Sequence, residues 1–265
     1  MPELLNFARG VALDAGKLIA RMRADAELQQ KYKDGTELVT DADLAADKLI
    51  VAAIKQRFPD HGILSEESSP EMATSSTFDE PIWIVDPIDG TVNFAHGHNQ
   101  SAVSIAFAEK GRVTTGVVYN PFTDEMFSAS LGGGATLNNS PITVSSQPEL
   151  RRAIVATGFP YTKNSVAELL KYLDAVLHQC ADIRRLGSAA LDICWVAAGR
   201  IDAYYETVSI WDFAAAQLIA REAGATFGHF GPVPTGKIPE FHPDKVLITN
   251  PHLFGPLQAL LQQAV

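Results

Sequence analysis

The sequence predicts an α/β protein with a layered architecture and an N-terminal part of the α+β type. Three observations support this fold class. Apolar residues recur at helical spacing over the first 22 residues. Short apolar runs separated by turn residues follow between positions 62 and 129. From about residue 150, apolar runs of strand length alternate with helical patterns, as in layered α/β folds.

The N-terminal half is predicted to contain two helices followed by a series of strands. The first helix covers residues 4–22, and the second starts after Thr40, where Asp43 three residues later completes an N-cap pattern. The polar segment 31–36 between the helices is expected to be a loop. Turn residues between the later strands predict antiparallel meanders. The expected strands are 62–64, 82–85, 102–108, 113–119 and 125–129.

The C-terminal half is predicted to alternate between strands and helices. The expected strands are 154–157, 183–186, 201–206 and 246–249, and the expected helices are 166–179, 189–198, 213–223 and 252–263. The change of pattern near residues 145–150 suggests a domain boundary. The chain is therefore predicted to form an N-terminal α+β domain over residues 1–147 and a C-terminal α/β domain over residues 148–265.

Composition limits the classes of function. A net charge of -10 and a pI near 5.1 argue against tight nonspecific binding to nucleic acid or to an anionic membrane. No stretch is apolar enough to span a bilayer, and the N-terminus lacks a secretory signal pattern. The two cysteines, Cys180 and Cys194, are interpreted as reduced core thiols. A cytoplasmic protein is expected.

The most informative segment covers residues 81–91. An apolar strand ends there in two carboxylates, Asp86 and Asp89, and Gly90 and Thr91 follow at once. Two acids so close repel each other unless a cation lies between them, and carboxylate oxygens suit magnesium. Gly90 allows a close approach of the backbone to a ligand, and a helix starting at Thr91 would attract phosphate. The segment indicates phosphate-ester chemistry, although an ordinary surface turn has the same residue types.

Two further acidic clusters favour the metal interpretation. Glu66 and Glu67 follow a second short apolar run, and Asp212 follows Trp211 at the start of a predicted helix. Each cluster has a simpler explanation when considered separately, because Glu-Glu pairs are often solvated and Asp is a common N-cap. The repetition of acids at the ends of elements suggests that the three clusters meet.

At this point the sequence resembles the inositol monophosphatase family of magnesium-dependent, lithium-sensitive phosphatases, over nearly its whole length. The motifs that carry the resemblance are Val39 to Asp43, Glu66-Glu67, Asp86 to Thr91 with Asn93-Phe94, Thr157 to Pro160, Arg184 to Ala190, and Trp211-Asp212 through Gly224. The resemblance implies a layered αβαβα sandwich of the inositol monophosphatase and fructose-1,6-bisphosphatase type. It also implies a homodimer.

The resemblance also implies a set of metal ligands. Glu66, Asp86 and the Ile88 carbonyl would hold one magnesium ion. Asp86, Asp89 and Asp212 would hold a second ion, and Glu66 would share a weaker third one. Most of these ligands come from the predicted N-terminal domain, and Asp212 comes from the C-terminal one. Two or three magnesium ions per subunit are therefore expected.

The remaining roles concern water, phosphate and the leaving group. The resemblance implies that Glu67 orients water and that Asp43 and Thr91 polarise the attacking water. The N–H groups of Gly90 and Thr91 would hold the phosphate. The leaving group's hydroxyls would meet two further residues, Ala189 and Glu206. Family members usually have one more residue between the substrate-site glutamate and the Trp-Asp pair than this sequence has between Glu206 and Trp211. The loop that contains Lys33 also varies in length among family members.

Three functions remain open on the sequence. The first is a phosphatase for inositol monophosphate or a similar small polyol or sugar phosphate, which Val92-Asn93-Phe94 favours. The second is a related phosphatase acting on fructose 1,6-bisphosphate, NADP, histidinol phosphate or a 3′-phosphonucleotide. The third is a binding factor for the transcription machinery. Arg184-Arg185 is the feature that supports the third, and a dimer interface would explain that basic pair equally well.

Overall fold

Helices and sheets alternate in five layers in the computed structural model, which describes residues 2–24, 30–33, 37–75, 78–160 and 163–265. The helices are α1 (Pro2–Ala24), α2 (Asp41–Arg57), α3 (Met72–Ser75), α4 (Thr91–Ala95), α5 (Val166–Gln179), α6 (Ala189–Ala197), α7 (Ile210–Glu222) and α8 (Phe254–Gln263). The strands of the N-terminal half are β1 (Gln30–Lys33), β2 (Glu37–Thr40), β3 (Gly62–Ser65), β4 (Ile82–Asp89), β5 (Ala102–Glu109), β6 (Arg112–Asn120), β7 (Glu125–Ser130), β8 (Ala135–Leu137) and β9 (Ser140–Pro141). Those of the C-terminal half are β10 (Ile154–Thr157), β11 (Asp182–Arg184), β12 (Ala203–Glu206), β13 (Thr226–His229) and β14 (Val246–Thr249).

Two large sheets organise the described part of the chain. The first has seven strands in the order β3-β4-β5-β6-β7-β8-β9, with β3 parallel to β4 and every later pair antiparallel. The second has five strands in the order β11-β10-β12-β14-β13. In it β10 runs parallel to both neighbours, and β14 runs antiparallel to both of its own. The antiparallel meander expected from the turn residues is confirmed from β4 to β7, whereas β3, expected to be part of it, pairs in parallel with β4.

Three apolar cores separate the layers. Helices α1 and α2 cover one face of the seven-stranded sheet, where Trp83 and Phe107 pack with Phe7. Helices α6 and α7 fill the space between the two sheets, and α7 is buried along nearly its whole length. Helices α5 and α8 cover the far face of the five-stranded sheet. This order of layers confirms the predicted αβαβα sandwich.

The structure corrects several element boundaries. Residues 30–33 pair with β2 in an antiparallel hairpin, whereas a loop was expected over 31–36; polar residues can form a ribbon of this kind because backbone hydrogen bonds hold the two strands together. Residues 34–36 lie outside the described residues. Helix α7 begins at Ile210 because the backbone N–H of Ser209 is capped by Asp212. Strand β13 was not predicted at all.

The predicted domain division stays a prediction. The seven-stranded sheet comes from residues 62–141 and the five-stranded sheet from residues 154–249, on either side of the expected boundary. The core between the sheets nevertheless contains residues from both sides, including Phe127 and Phe213. Among the helices described, none combines the length and the apolar character needed to cross a membrane.

Candidate active site

A cleft of about 480 Å³ opens where the seven-stranded sheet, α6 and α7 meet. It gathers all of the candidate residues except Asp43 and Glu67, which lie behind its lining. The candidates that line it are Glu66, Asp86, Ile88, Asp89, Gly90, Thr91, Ala189, Glu206 and Asp212. These residues come from four separate parts of the sequence, so the cleft is built by tertiary packing.

A bulge in β4 places two of the carboxylates on the same side of the sheet. Asp86 pairs with Ser104 of β5, and Asp89 pairs with Ala102, so three steps along β4 match two steps along β5. Residues three apart on a regular strand would point to opposite faces. The extra residue lies at Pro87-Ile88, where a missing proline N–H disturbs no regular pairing. The bulge therefore allows Asp86 and Asp89 to act together.

Asp86 lies at the centre of the acidic cluster. One oxygen each from Asp86, Asp89 and Asp212 lies within 4.8 Å of the others, and the Glu66 carboxyl is within hydrogen-bond reach of Asp86. Burial raises the pKa of Asp86 well above its usual value, and the charges of Glu66, Asp89 and Asp212 raise it further. The cluster repels itself, so a bound cation would relieve a real electrostatic cost.

Helix N-termini hold the other two members of the cluster. Asp89 accepts hydrogen bonds from the Ser188 hydroxyl and from the Ala190 backbone N–H at 2.9 Å, both at the start of α6. Asp212 accepts the Ser209 backbone N–H at 2.7 Å at the start of α7. Burial raises the pKa of Asp89 to about 6, although its hydrogen bonds act in the opposite direction. Burial also raises the pKa of Asp212, and the charge of Asp89 adds to this effect. Positive helix ends thus lower part of the cost of gathering these acids.

The turn after β3 presents Glu66 and is anchored from behind. Asp47 of α2 accepts hydrogen bonds from the hydroxyls of Ser65 and Ser68, the latter at 3.1 Å. The backbone N–H of Glu66 also bonds to the Val85 carbonyl at 3.2 Å, which continues the parallel pairing of β3 with β4. Glu66 is thereby brought beside Asp86 at the ends of two neighbouring strands. The sequence analysis missed Asp47, for which its helical spacing with the apolar residues Ile50 and Ile54 was the available signal.

Asp43 reaches the cleft through Thr91. The Thr91 hydroxyl lies 3.1 Å from Asp43 Oδ1 and 3.1 Å from the Ile88 carbonyl oxygen. Thr40 donates to the other Asp43 oxygen through its backbone N–H at 2.8 Å and its hydroxyl at 2.6 Å. Burial raises the pKa of Asp43 to about 6, and the nearby Glu67 charge acts in the same direction while these hydrogen bonds oppose it. Asp43 is therefore a rigidly held proton acceptor whose pKa of about 6 lies close to neutral pH.

Gly90 shapes the turn between β4 and α4. Its φ of +86° belongs to the left-handed region that favours glycine. A Cβ at this position would lie 2.7 Å from the Gln100 carbonyl oxygen and 3.0 Å from that of Gly187. A side chain at position 90 would therefore collide with the neighbouring backbone, so this turn in the cleft wall requires glycine.

The opposite wall of the cleft carries Glu206. The Tyr204 hydroxyl donates to its carboxylate at 2.5 Å, and the carboxylate packs against Gly158, where any Cβ would overlap it. Burial raises the pKa of Glu206 to about 7, opposed by the Tyr204 hydrogen bond and the charge of Arg185. Ala189, at the first turn of α6, lines the same wall. The short segment before Trp211 therefore leaves Glu206 in the cleft.

The structure adds two residues of this wall that sequence reasoning missed. Asp192 of α6 lines the cleft and is buried, and Arg185 also lines it, with its guanidinium 5.2 Å from the ring centroid of Phe159. Arg184, by contrast, forms an exposed ion pair with Asp182 at 2.6 Å. Of the basic pair noted in the sequence, Arg185 lines the cleft while its side chain stays exposed, and Arg184 is not part of the lining. The position of Asp192, four residues after the α6 N-cap, was the signal available for it.

The donor set suits a hard divalent cation. Glu66, Asp86, Asp89 and Asp212 supply oxygen ligands only, and within the described part of the chain the oxygens of the last three converge closely enough to share an ion. Repulsion from Glu66, Asp89 and Asp212 adds to the effect of burial in raising the pKa of Asp86. The residues present therefore fit a magnesium site.

Comparison with known proteins agrees with this geometry. A model of the inositol monophosphatase family matches residues 1–259. The protein described as Nus factor SuhB of Vibrio cholerae is 42% identical over 233 residues, which are 87% of this chain and 86% of the relative. The Nus factor SuhB of Pasteurella multocida is 37% identical over 267 residues, which are 99% of this chain and 94% of the relative.

Solved structures show the same fold. The extragenic suppressor protein suhB of Bartonella henselae superposes with a TM-score of 0.89 at 34% identity, covering 99% of this chain and 100% of the other. The inositol monophosphatase of Anabaena superposes with a TM-score of 0.81 at 33% identity, covering 99% and 96%. A staphylococcal relative described with inositol monophosphate bound superposes with a TM-score of 0.79 at 27% identity, covering 98% and 94%.

Proposed function

The chain belongs to the inositol monophosphatase family, and from this premise we propose that it is a magnesium-dependent phosphatase of small polyol phosphates, with inositol 1-phosphate as its leading substrate. The observation that carries the proposal is the convergence of Asp86, Asp89 and Asp212 in one cleft. A phosphatase with this cleft needs a cation site, a phosphate-binding turn, an acceptor for a water proton and a wall for the leaving group. Named residues supply each of these parts.

The cation site is assigned to Glu66, Asp86, the Ile88 carbonyl, Asp89 and Asp212, for two or three magnesium ions. Ions bound there supply charge stabilisation for the phosphoryl oxygens and a lowered pKa for attacking water. Asp86 is central, because it is within reach of both Glu66 and Asp212. The protein's own contribution is to hold these carboxylates together with the β4 bulge and two helix N-termini.

Proton transfer is assigned to Thr91 and Asp43. The Thr91 hydroxyl lines the cleft and lies 3.1 Å from Asp43, which Thr40 holds in place. Thr91 can therefore accept a proton from the attacking water while passing its own to the Asp43 carboxylate. With a pKa raised to about 6, Asp43 is largely ionised and ready to accept at neutral pH. Glu67 contributes through its negative charge, which raises the pKa of the Asp43 carboxyl.

Phosphate and leaving group occupy opposite ends of the cleft. The backbone N–H groups of Gly90 and Thr91 are assigned to the phosphate, because both residues line the cleft at the turn where α4 begins. Ala189 and Glu206 are assigned to the hydroxyls of the leaving group. Glu206 is a fixed acceptor, since Tyr204 and Gly158 hold its carboxylate in one place.

Steady-state kinetics on inositol 1-phosphate with magnesium test the proposal. Asp86→Asn is expected to lower kcat by roughly a hundredfold or more, because it weakens charge stabilisation in the transition state. Glu206→Gln is expected to change kcat/KM less, since it alters a leaving-group contact. Asp79→Asn, at an exposed position, is the control and should behave as the wild type. A larger loss in Glu206→Gln than in Asp86→Asn would contradict these assignments.

A second candidate function is favoured by the names of the curated relatives. The matched proteins of Vibrio cholerae and Pasteurella multocida are described as Nus factors, so we propose as an alternative that this chain binds the transcription machinery. Arg184 is the member of the basic pair that lies outside the cleft lining, where a partner would have to replace its ion pair with Asp182. Binding of the purified chain to RNA polymerase, retained by Asp86→Asn and lost in Arg184→Glu, would support this alternative. Absence of binding by the wild type would refute it.

A further inference from the structure

Asp192 is a buried carboxylate in the cleft with no role in the assignments above. It lies in α6, is 1% exposed, and lines the same wall as Ala189 and Glu206. Its Oδ1 is fully buried and has no hydrogen-bond partner within the described part of the chain. Buried polar groups in folded proteins are almost always satisfied, so an unsatisfied carboxylate oxygen calls for an explanation.

The surroundings of Asp192 disfavour the ionised form of its carboxyl group. Burial raises its pKa well above the usual range, and the charges of Asp89 and Glu206 raise it further. Arg185 opposes this effect only through its field, because its guanidinium stacks on Phe159 and forms no ion pair with Asp192. A carboxylate held in such a place destabilises the folded protein unless a ligand satisfies it.

The location narrows what that ligand can be. Asp192 is not part of the cluster of oxygens formed by Asp86, Asp89 and Asp212, which speaks against a role as a metal ligand. It lies within electrostatic range of Asp89, near the phosphate end, and of Glu206, at the leaving-group end. An acceptor in this position would face ring or chain atoms close to the ester oxygen. Groups that could satisfy it there are hydrogen-bond donors on the leaving group.

We propose that Asp192 is a specificity-determining residue of the leaving-group subsite, where it and Glu206 accept hydrogen bonds from neighbouring hydroxyls of a polyol. This inference rests on the proposed phosphatase function and specifies its substrate class. Two fixed carboxylates on one wall select leaving groups that present at least two hydroxyl donors.

Two esters separate a hydroxyl contact from a general effect on catalysis. Inositol 1-phosphate and cyclohexyl phosphate both place the phosphate on a six-membered ring, and the second has no hydroxyls. Asp192→Leu, which removes the acceptor and keeps the branched shape of the side chain, is expected to lower kcat/KM for inositol 1-phosphate at least tenfold. The same variant should change kcat/KM for cyclohexyl phosphate by less than twofold, since a site loses discrimination only toward groups that it hydrogen-bonds.

Asp192→Asn and thermal unfolding complete the test. Asn keeps one acceptor oxygen, so its loss on inositol 1-phosphate should be smaller than that of Leu. Both variants should unfold at or above the wild-type temperature, because each removes a buried unsatisfied carboxylate; Asp79→Asn serves as the control. Equal losses on both esters, or no loss on either, would overturn this inference and leave the proposed function intact. Wild-type protein that hydrolyses neither ester would overturn the proposed function and this inference with it.

Discussion

Glu206 provides a test of the electrostatics of the cleft that does not depend on bound metal. Its carboxylate is held in the wall by Tyr204 and Gly158, and burial raises its pKa from 4.5 to about 7. In the folded protein Glu206 therefore keeps a proton that the unfolded chain releases. It follows that stability falls as the pH rises from about 4.5 to about 7, and that the full cost is present above pH 7.

The size of the effect follows from the shift. At about 1.4 kcal/mol per pKa unit, the change from 4.5 to about 7 corresponds to about 3 kcal/mol, and screening by solvent in the cleft reduces it to about 2 kcal/mol. For a chain of 265 residues, the entropy of unfolding is about 0.56 kcal/mol/K. A cost of about 2 kcal/mol therefore lowers the unfolding temperature by about 4 °C.

The assay is thermal unfolding of the metal-free protein at pH 5 and pH 8. Glu206→Gln keeps the shape of the side chain and an acceptor for the Tyr204 hydroxyl, but it removes the titratable group. The variant should lie closer to the wild type at pH 5 and about 4 °C above it at pH 8. Glu80→Gln, at an exposed position, is the matched control and should follow the wild type at both values. Equal pH dependence of Glu206→Gln and wild type would refute the reasoning.

Three further predictions concern the cation site and its turn. Magnesium at a hundred times its Kd should stabilise the protein by about 2.7 kcal/mol, or about 5 °C, and Asp86→Asn should abolish the response to magnesium in a thermal shift assay. Gly90→Ala should cost more stability than Gly97→Ala, because both positions have positive φ but only Gly90 would bring a Cβ within 2.7 Å of a carbonyl oxygen; equal denaturation midpoints would contradict this reading of the turn. Lithium chloride at millimolar levels should inhibit hydrolysis of inositol 1-phosphate far more than potassium chloride at matched ionic strength, as the family resemblance implies. Equal inhibition by the two salts would contradict the lithium sensitivity that the family resemblance implies.

Local sequence was sufficient for most elements. Helical spacing predicted α1 and α5, and Thr40 with Asp43 predicted the start of α2, because caps and amphipathic periods are properties of neighbouring residues. The hairpin β1–β2 and strand β13 were missed, because their stability comes from pairing partners rather than from an apolar pattern.

The candidate site could be predicted from sequence in its residue types but not in its arrangement. The spacing of Asp86 and Asp89 shows two acids at a strand end, yet on a regular strand they would face apart. Only the bulge opposite Ala102 and Ser104 brings them together. Likewise, the hydrogen bond from Ser188 to Asp89 joins residues 99 positions apart, a contact that no local pattern encodes.

By itself, the sequence determined the residue types of the candidate site and the family: acids at the ends of apolar strands, a glycine turn after β4, and the motifs of one family. Tertiary structure alone decided which of the remaining polar residues line the cleft. Arg185 lines the cleft and Arg184 does not, although they are adjacent in the chain. Asp192 became an unsatisfied buried carboxylate because α6 packs between two sheets. Residue type is a local property, whereas burial and proximity depend on distant segments that meet only in the folded protein.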